Sequence, residues 1–439
     1  MNIKRMAALT LALTILLGCT GCVQSASQTP SSSTDTTVPA VVSGIQNVVV
    51  EGFDWGPAVT KTILTLDQTI RADTVNAESF SVTEIKQTAG WGNSAEKQTA
   101  EASRKVLAAY TCDETGNASN DSNCIALELS YGRNEGSPYF FNPQTWANTV
   151  CNPYELRVSL TDGAALVTET GAPVTALTVL ETIDLDNAIY PQLEGVDLTG
   201  TFTGTDGKTL TYGSYAPAAD GQKHPLVIWL HGAGEGGTDP SIAVLGNKVT
   251  ALYGEEFQTV MGGAYVLTPQ TPTFWMQYAE DSWSDNPGKD SIYLDTLMEL
   301  IQSHVAENPN IDSSRIYVGG CSNGGFMTMD LILNYPDYFA AAFPICEAYP
   351  DAGISDAQLE GIKDLPVWFV YARNDTTVNL EACEAPTIAR LEAMGADVHS
   401  SVFDDVGTYL GHWSWIWFFN NACEENGTNM WQWLSEQSR

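Results

Sequence analysis

The chain has 439 residues, 44% apolar, 10% aromatic and 16% charged, enough for a sizeable core and too many for one ordinary domain. Its 53 acidic side chains against 19 basic ones give a formal charge of −34. A field of that sign repels nucleic acid and anionic headgroups, and no basic patch offsets it, so both drop out as partners and neutral substrates are favoured.

Residues 1–19 read as an export signal: Lys4 and Arg5, an apolar run from Met6 to Leu17, then Gly18-Cys19. The run is too short to span a bilayer. Ending in LLGC, it resembles a bacterial lipoprotein signal, in which Cys19 becomes the lipidated first residue; Cys22 is the second candidate. Loss of Lys4 and Arg5 would bring the charge to about −36. Residues 20–43, mostly Ser- and Thr-rich (QSASQTPSSSTDTTVPAVVS), have the composition of a solvated tether, with a coil reach on the order of 25–30 Å. The expected location is therefore extracytoplasmic, anchored by that lipid or secreted, with membrane contact through the N-terminal anchor alone.

Seven further cysteines stand at 112, 124, 151, 321, 346, 383 and 423. Outside the cytosol some can pair. Cys112 and Cys124 flank a loop rich in Asn, Asp and Ser between two strand-like runs, the easiest bridge to close; Cys383 with Cys423 is a second expectation. The odd count leaves at least one thiol free.

Residues 44–190 alternate in short runs, Val59–Leu66, Phe80–Ile85, Lys105–Tyr110, Ile125–Leu129 and Tyr154–Leu160, separated by Gly, Asn, Asp and Pro. This predicts an all-β antiparallel sandwich, immunoglobulin-like in character. It contains no His and no metal-ligand spacing, so a structural or docking role is expected of it. From 191 to 439 strand-like runs (Leu226–Leu230, Ala264–Leu267, Arg315–Val318, Phe339–Pro344, Val367–Tyr371) alternate with helical stretches (Asp295–Val305, Phe326–Asn334, Leu380–Met394). The fold class is α/β: a mostly parallel sheet covered by helices on both faces, with its chemistry at the carboxyl ends of the strands.

Each sharp motif falls at such an end. GGCSNGG at 319–325 follows the run RIYV and precedes the helical FMTMDLIL; Gly320-x-Ser322-x-Gly324 is a nucleophile-elbow pattern, in which glycines let a strand reverse sharply into a helix and lift the Ser oxygen clear of the sheet. HGAGEGG at 231–237 follows Leu226–Leu230, and such a Gly-rich turn frees backbone N–H groups for a developing oxyanion. No Walker lysine follows it, which argues against a phosphate cradle. The expected oxyanion donors are the N–H groups of Ala233 and Asn323.

With Ser322 as nucleophile, the order Ser, Asp or Glu, His requires the base to lie downstream. Of five histidines, only His399 and His412 do. His399 sits inside the alternating run Ala396–Phe403 as a strand residue, whereas His412 lies in the irregular GTYLGHW and is the expected base. Asp375, ending VWFVYARND, is the expected acid, with Asp404 and Asp405 as alternatives. No metal and no organic cofactor is required.

The HGAGEGG loop, TPQ at 268–270, RIYVGGCSNGG, YPDYFAAAFPIC at 335–346 and the aspartate after LPVWFVY resemble, in combination, the α/β-hydrolase esterases of the "predicted peptidase" or polyhydroxybutyrate-depolymerase-like group. FDWGPAVTKTILTLD at 53–67 resembles the immunoglobulin-like N-terminal module of one group of those esterases. One departure is that members commonly carry His-Gly shortly before the acid, where this chain has Tyr371-Ala372-Arg373-Asn374. The resemblance implies a serine carboxylesterase working through an acyl-enzyme, with feruloyl or acetyl esters of plant polysaccharide as candidate substrates. A serine peptidase with the same triad and a non-catalytic surface binding protein are the alternatives. The segment Glu347–Asp364 is too short for a cap domain, so the site is expected to be open, suiting bulky or polymer-attached esters, with the front domain available as a wall. Trp275, Trp283 and Trp413 are candidate substrate contacts. Oligomeric state is not legible.

Overall fold

The computed structural model describes residues 38–88, 98–142, 144–282 and 286–439. The export signal, Cys19, Cys22, residues 20–37 of the tether and Trp283 lie outside them, and residues 40–43, expected as the end of the tether, instead open the first strand. Residues 39–439 form one compact unit, and no helix among the described residues is long and apolar enough to cross a membrane.

The front half contains strands β1 (Ala40–Phe53), β2 (Gly56–Ile70), β3 (Phe80–Thr88), β4 (Gln98–Arg104), β5 (Val106–Cys112), β6 (Ser122–Leu129), β7 (Tyr139–Asn142), β8 (Ala147–Val150), β9 (Tyr154–Leu160) and β10 (Val174–Val179). They make a five-stranded sheet in the order β10-β1-β2-β6-β5, a three-stranded sheet β4-β3-β9, and a separate hairpin β7-β8. Period-2 alternation, with a register shift that skips Thr60 between Val59 and Leu64, turns Val48, Val50, Val59 and Leu64 of the larger sheet and Phe80, Val82, Leu156 and Val158 of the smaller into one shared core. Within it Glu84 accepts from Arg104 at 2.6 Å and from the Tyr154 hydroxyl at 2.7 Å.

Two features depart from the sequence expectation. The β1–β10 pair is parallel, because the chain reaches β10 by crossing over from β9 in the other sheet and settles on the open edge of β1. Cys112 and Cys124 are cross-strand partners, yet both are free thiols, as are Cys383 and Cys423. The first two are buried with Val49, Ile63 and Ala126, where a thiol packs as a small apolar group.

The second half forms an eight-stranded sheet from β11 (Val196–Thr203), β12 (Thr209–Tyr215), β13 (His224–Leu230), β14 (Tyr265–Gln270), β15 (Ile311–Cys321), β16 (Ala341–Ile345), β17 (Val367–Ala372) and β18 (Val398–Phe403). The order is β11-β12-β14-β13-β15-β16-β17-β18; the first two strands join antiparallel, and from β14 onward every pair is parallel. Its helices are α1 (Pro240–Leu245), α2 (Glu255–Met261), α3 (Leu294–Glu307), α4 (Asn323–Asn334), α5 (Asp356–Ile362), α6 (Glu384–Met394), α7 (Trp415–Phe419) and α8 (Met430–Glu436). Strand β13 shows why both faces must be covered: Val227 and Trp229 enter one core with α1, α2, α7 and α8, while Leu226, Ile228 and Leu230 enter the other with α3, α4, α5 and α6.

Candidate active site

Ser322 stands alone between the last residue of β15 and the first of α4, with φ 56° and ψ −115°, a backbone state costing of order 1–3 kcal/mol outside glycine. The turn is held by close packing: a Cβ at Gly320 would lie 2.4 Å from the Leu230 carbonyl oxygen, and one at Gly324 only 2.0 Å from it. The sharp reversal of the elbow therefore has a cause in the backbone that ends β13.

Three residues distant in sequence meet at that turn. His412 Nε2 lies 2.9 Å from Ser322 Oγ, and His412 Nδ1 lies 2.8 Å from Asp375 Oδ2. Asp375 follows β17, and its carboxylate is fully sheltered. Its other oxygen, Oδ1, accepts from the N–H groups of Thr377 at 2.7 Å and Val378 at 3.0 Å. Burial raises the affinity of that carboxyl for a proton, but the hydrogen bond and charge of His412, with the two N–H donors, outweigh it and hold Asp375 below its ordinary range. An ionised carboxylate only accepts, so Nδ1 carries the imidazole proton and Nε2 is left to accept from the Ser322 hydroxyl. The two loops approach because residue 411 is glycine: a Cβ there would lie 2.2 Å from Asn374 Oδ1 and 2.5 Å from the Asn374 carbonyl oxygen.

The other expected residues are placed as follows. Asp404 is exposed and pairs with Arg373, and Asp405 accepts from the Gly407 N–H; neither contacts His412. His399 pairs with Glu425 and Asp397 and stacks on Trp368, a strand residue with a structural role.

The HGAGEGG loop begins with a buried imidazole that sequence reasoning passed over as a site residue. His231 lies 2.6 Å through Nδ1 from the Gly232 carbonyl oxygen, and its Nε2 accepts from the Thr271 N–H at 3.2 Å. Burial pushes its pKa down to about 4, so it is neutral, with the proton on Nδ1. Because C=O and N–H of one trans peptide point opposite ways, pinning the Gly232 carbonyl turns the Ala233 N–H away from the imidazole. Asn323, as the first residue of α4, likewise has an N–H without a helical acceptor. Its side-chain Oδ1 accepts from the Met276 N–H at 2.9 Å.

Within the same loop Glu235 is buried, and its Oε1 accepts from Asn148 of β8 at 3.1 Å. Burial pushes its carboxyl up to about 7 against the opposing hydrogen bonds from Asn247, the Gly232 N–H and Asn148. This contact brings the β7–β8 hairpin onto the site.

Two cavities meet at Ser322. One of about 640 Å³ is lined by Ser322, Asn323, Ala233, Phe274, Met276 and Trp146, among others; the second, of about 690 Å³, shares Ser322, Ala233 and Trp146 but adds His412, Trp413 and residues of the front sheets. Trp413 thus reaches a cavity. Trp275 does not: it is fully buried, packed against His231 and Tyr293, while its neighbours Phe274 and Met276 face the space. The indole is a packing element because the irregular loop turns alternate residues inward. Trp146, on the hairpin turn with φ 56°, is a lining residue that no local motif announced.

Comparison with known proteins follows this geometry. Residues 46–186 match the family described as Esterase Ig-like N-terminal domain, and residues 216–410 match Phospholipase/Carboxylesterase. A solved structure titled as that of a thermostable esterase aligns with TM-score 0.71 and 27% identity over 91% of this chain and 100% of its own. Over 199 residues the chain is 31% identical to the acylamino-acid-releasing enzyme of Arabidopsis thaliana, covering 42% of this chain and 24% of that one. Feruloyl esterase B of Neurospora crassa is 30% identical over 128 residues, 29% of this chain and 40% of that one. The chain thus spans well under half the length of these curated relatives. Elbow, strand order and both matched regions agree: the second half has the α/β-hydrolase fold and its residues 216–410 match the Phospholipase/Carboxylesterase family, behind a front region that matches an esterase Ig-like N-terminal domain.

Proposed function

We propose that the protein is a serine carboxylesterase. The observation that carries this reading is the unbroken hydrogen-bond chain from Ser322 through His412 to Asp375 at the carboxyl ends of the strands. Ser322 Oγ attacks the ester carbonyl as His412 Nε2 takes its proton; Asp375 stays ionised and stabilises the imidazolium. The N–H groups of Ala233 and Asn323 receive the oxyanion, each contributing about 2.7–4 kcal/mol. His412 then protonates the departing alcohol, and water repeats the cycle on the acyl-enzyme.

Feruloyl or acetyl esters of plant polysaccharide are the proposed substrates, supported by the likeness to feruloyl esterase B and by two cavities joining at one serine. The peptidase reading draws on the likeness to the acylamino-acid-releasing enzyme. Nitrophenyl acetate, butyrate and octanoate beside methyl ferulate and a peptide anilide separate the two. Replacement of Ser322 by Ala is expected to remove both turnover and labelling by a fluorophosphonate while the circular dichroism is retained; substantial residual turnover refutes the assignment. The chain is further proposed to be exported and lipidated at Cys19, or at Cys22, on the grounds of its N-terminal sequence; palmitate labelling lost in Cys19→Ser tests this.

A further inference from the structure

The two cavities at Ser322 are chemically unequal. Ser322 and Ala233 line both, as the place of the reacting carbonyl requires, but Asn323 lines only the smaller and His412 only the larger. His412 is the group that hands its proton to the departing alcohol, so the alcohol lies on its side and the acyl group lies in the smaller cavity, beside Asn323. Resting on the esterase reading above, we propose that the larger groove is the alcohol subsite and that the front domain builds it to hold a saccharide.

The wall supports a sugar. Trp55 lines the groove from the β1–β2 turn and stacks on Phe53 at 5.0 Å with nearly parallel rings; Phe53 in turn stacks on Tyr131. Trp146 and Trp413 line the same groove, the latter with the Arg133 guanidinium 4.8 Å above its ring and Tyr409 stacked on it at 5.7 Å. Asn134, exposed on the same loop as Arg133, lines the rim. A flat indole face meets the C–H face of a pyranose or furanose, and the exposed Asn134 amide and Arg133 guanidinium, whose Nη1 also donates to the Thr408 carbonyl oxygen at 3.4 Å, can reach its hydroxyls. The chain's net negative charge suits a neutral saccharide better than an acidic one.

The acyl-enzyme mechanism gives the proposal a kinetic signature. The alcohol has left before deacylation, so the groove acts on kcat/KM and not on the deacylation rate constant. The test compares Trp55→Ala and Asn134→Ala with the parent on two esters sharing one acyl group, methyl ferulate and feruloylated arabinose. Met276→Ala, on the acyl side, serves as counterpart. The ratio of kcat/KM for the arabinose ester to that for the methyl ester is expected to fall about tenfold in the groove variants and to hold in Met276→Ala, with the deacylation rate constant from pre-steady-state bursts unmoved in the groove variants. A ratio changed less than threefold in both groove variants, or a deacylation constant that falls with it, overturns the assignment. Nitrophenyl acetate, butyrate and octanoate keep the two readings apart: no turnover of any of them or of either ferulate by the parent overturns the esterase reading, whereas turnover of a nitrophenyl ester with neither ferulate hydrolysed overturns the subsite assignment alone.

Discussion

Asp375→Asn tests the proton chain most sharply, because the surroundings dictate which way the new amide must lie. Oδ1 accepts from two backbone N–H groups, those of Thr377 and Val378, at 2.7 and 3.0 Å. An amide NH2 on that side would face two donors, so the carbonyl oxygen must take it and the NH2 must point at His412 Nδ1. Nδ1 then has to accept, which moves the imidazole proton to Nε2, and Nε2 can no longer take the proton of Ser322. The side chain keeps its volume and its backbone partners, so stability should fall by about 1 kcal/mol, the difference between charged and neutral acceptors. A triad forced into the wrong tautomer loses on the order of 10⁴ in kcat, about 5 kcal/mol of transition-state stabilisation. Nitrophenyl acetate turnover at saturating substrate, beside urea unfolding of the same preparation, measures both quantities. A kcat within tenfold of the parent, on folded protein, would refute the assignment of Asp375 and the tautomer argument with it.

Glu235→Gln should change how stability depends on pH. The carboxyl is buried and binds its proton up to about pH 7 in the folded chain, against 4.5 for the free group; between those values the unfolded chain has released a proton that the folded one keeps, so the parent loses stability as pH rises and levels off above 7. The Gln variant should therefore gain on the parent across that window, by roughly 3 kcal/mol at most; parallel stability curves from pH 4.5 to 8 would contradict it. Gly324→Ala puts a Cβ 2.0 Å from a backbone carbonyl oxygen and should cost about 3 kcal/mol or more, read as a lowered urea midpoint; an unchanged midpoint argues against the close approach. Glu84→Gln removes the nearer of two carboxylates from Arg104, whose side chain is wholly buried, and leaves Glu135 at 3.6 Å; it should cost about 1.5–3 kcal/mol, the worth of a hydrogen bond to a charged group, whereas a loss under 1 kcal/mol would mean the pair adds little.

The members of the hydrogen-bond chain Ser322, His412 and Asp375 are legible in the sequence because each carries a constraint independent of tertiary detail. An elbow needs glycines around one Ser between a strand and a helix, and chain order leaves two histidines, one of them inside a strand. What could not be read depends on how irregular backbone lies in space. In the loop from 271 to 279 nothing in the sequence distinguishes Trp275, which packs on His231, from Phe274 and Met276, which face the cavity. Strands β11 and β12 were not singled out either: β11 alternates between half-buried and exposed residues without one fully buried position, as an edge strand does, and gives no apolar run. The β7–β8 hairpin reaches the oxyanion loop through Asn148 and Glu235, 87 residues apart, a contact with no local pattern to betray it.

That contact gives the architecture its logic. Groups that must hold hydrogen-bond geometry within tenths of an ångström arise at the ends of buried parallel strands, where neighbouring backbone fixes them: Leu230 against the elbow, Asn374 against Gly411. On the proposed reading, groups that favour one alcohol over another, Trp55 and Asn134, stand in the front half, outside the chain from Ser322 to Asp375. The two tasks meet at Glu235, a residue of the oxyanion loop whose carboxylate accepts from Asn148 of β8. A change in the front domain that displaces β8 should therefore alter the rate of acyl transfer as well as the choice of alcohol, while a change confined to the groove rim should alter the choice alone.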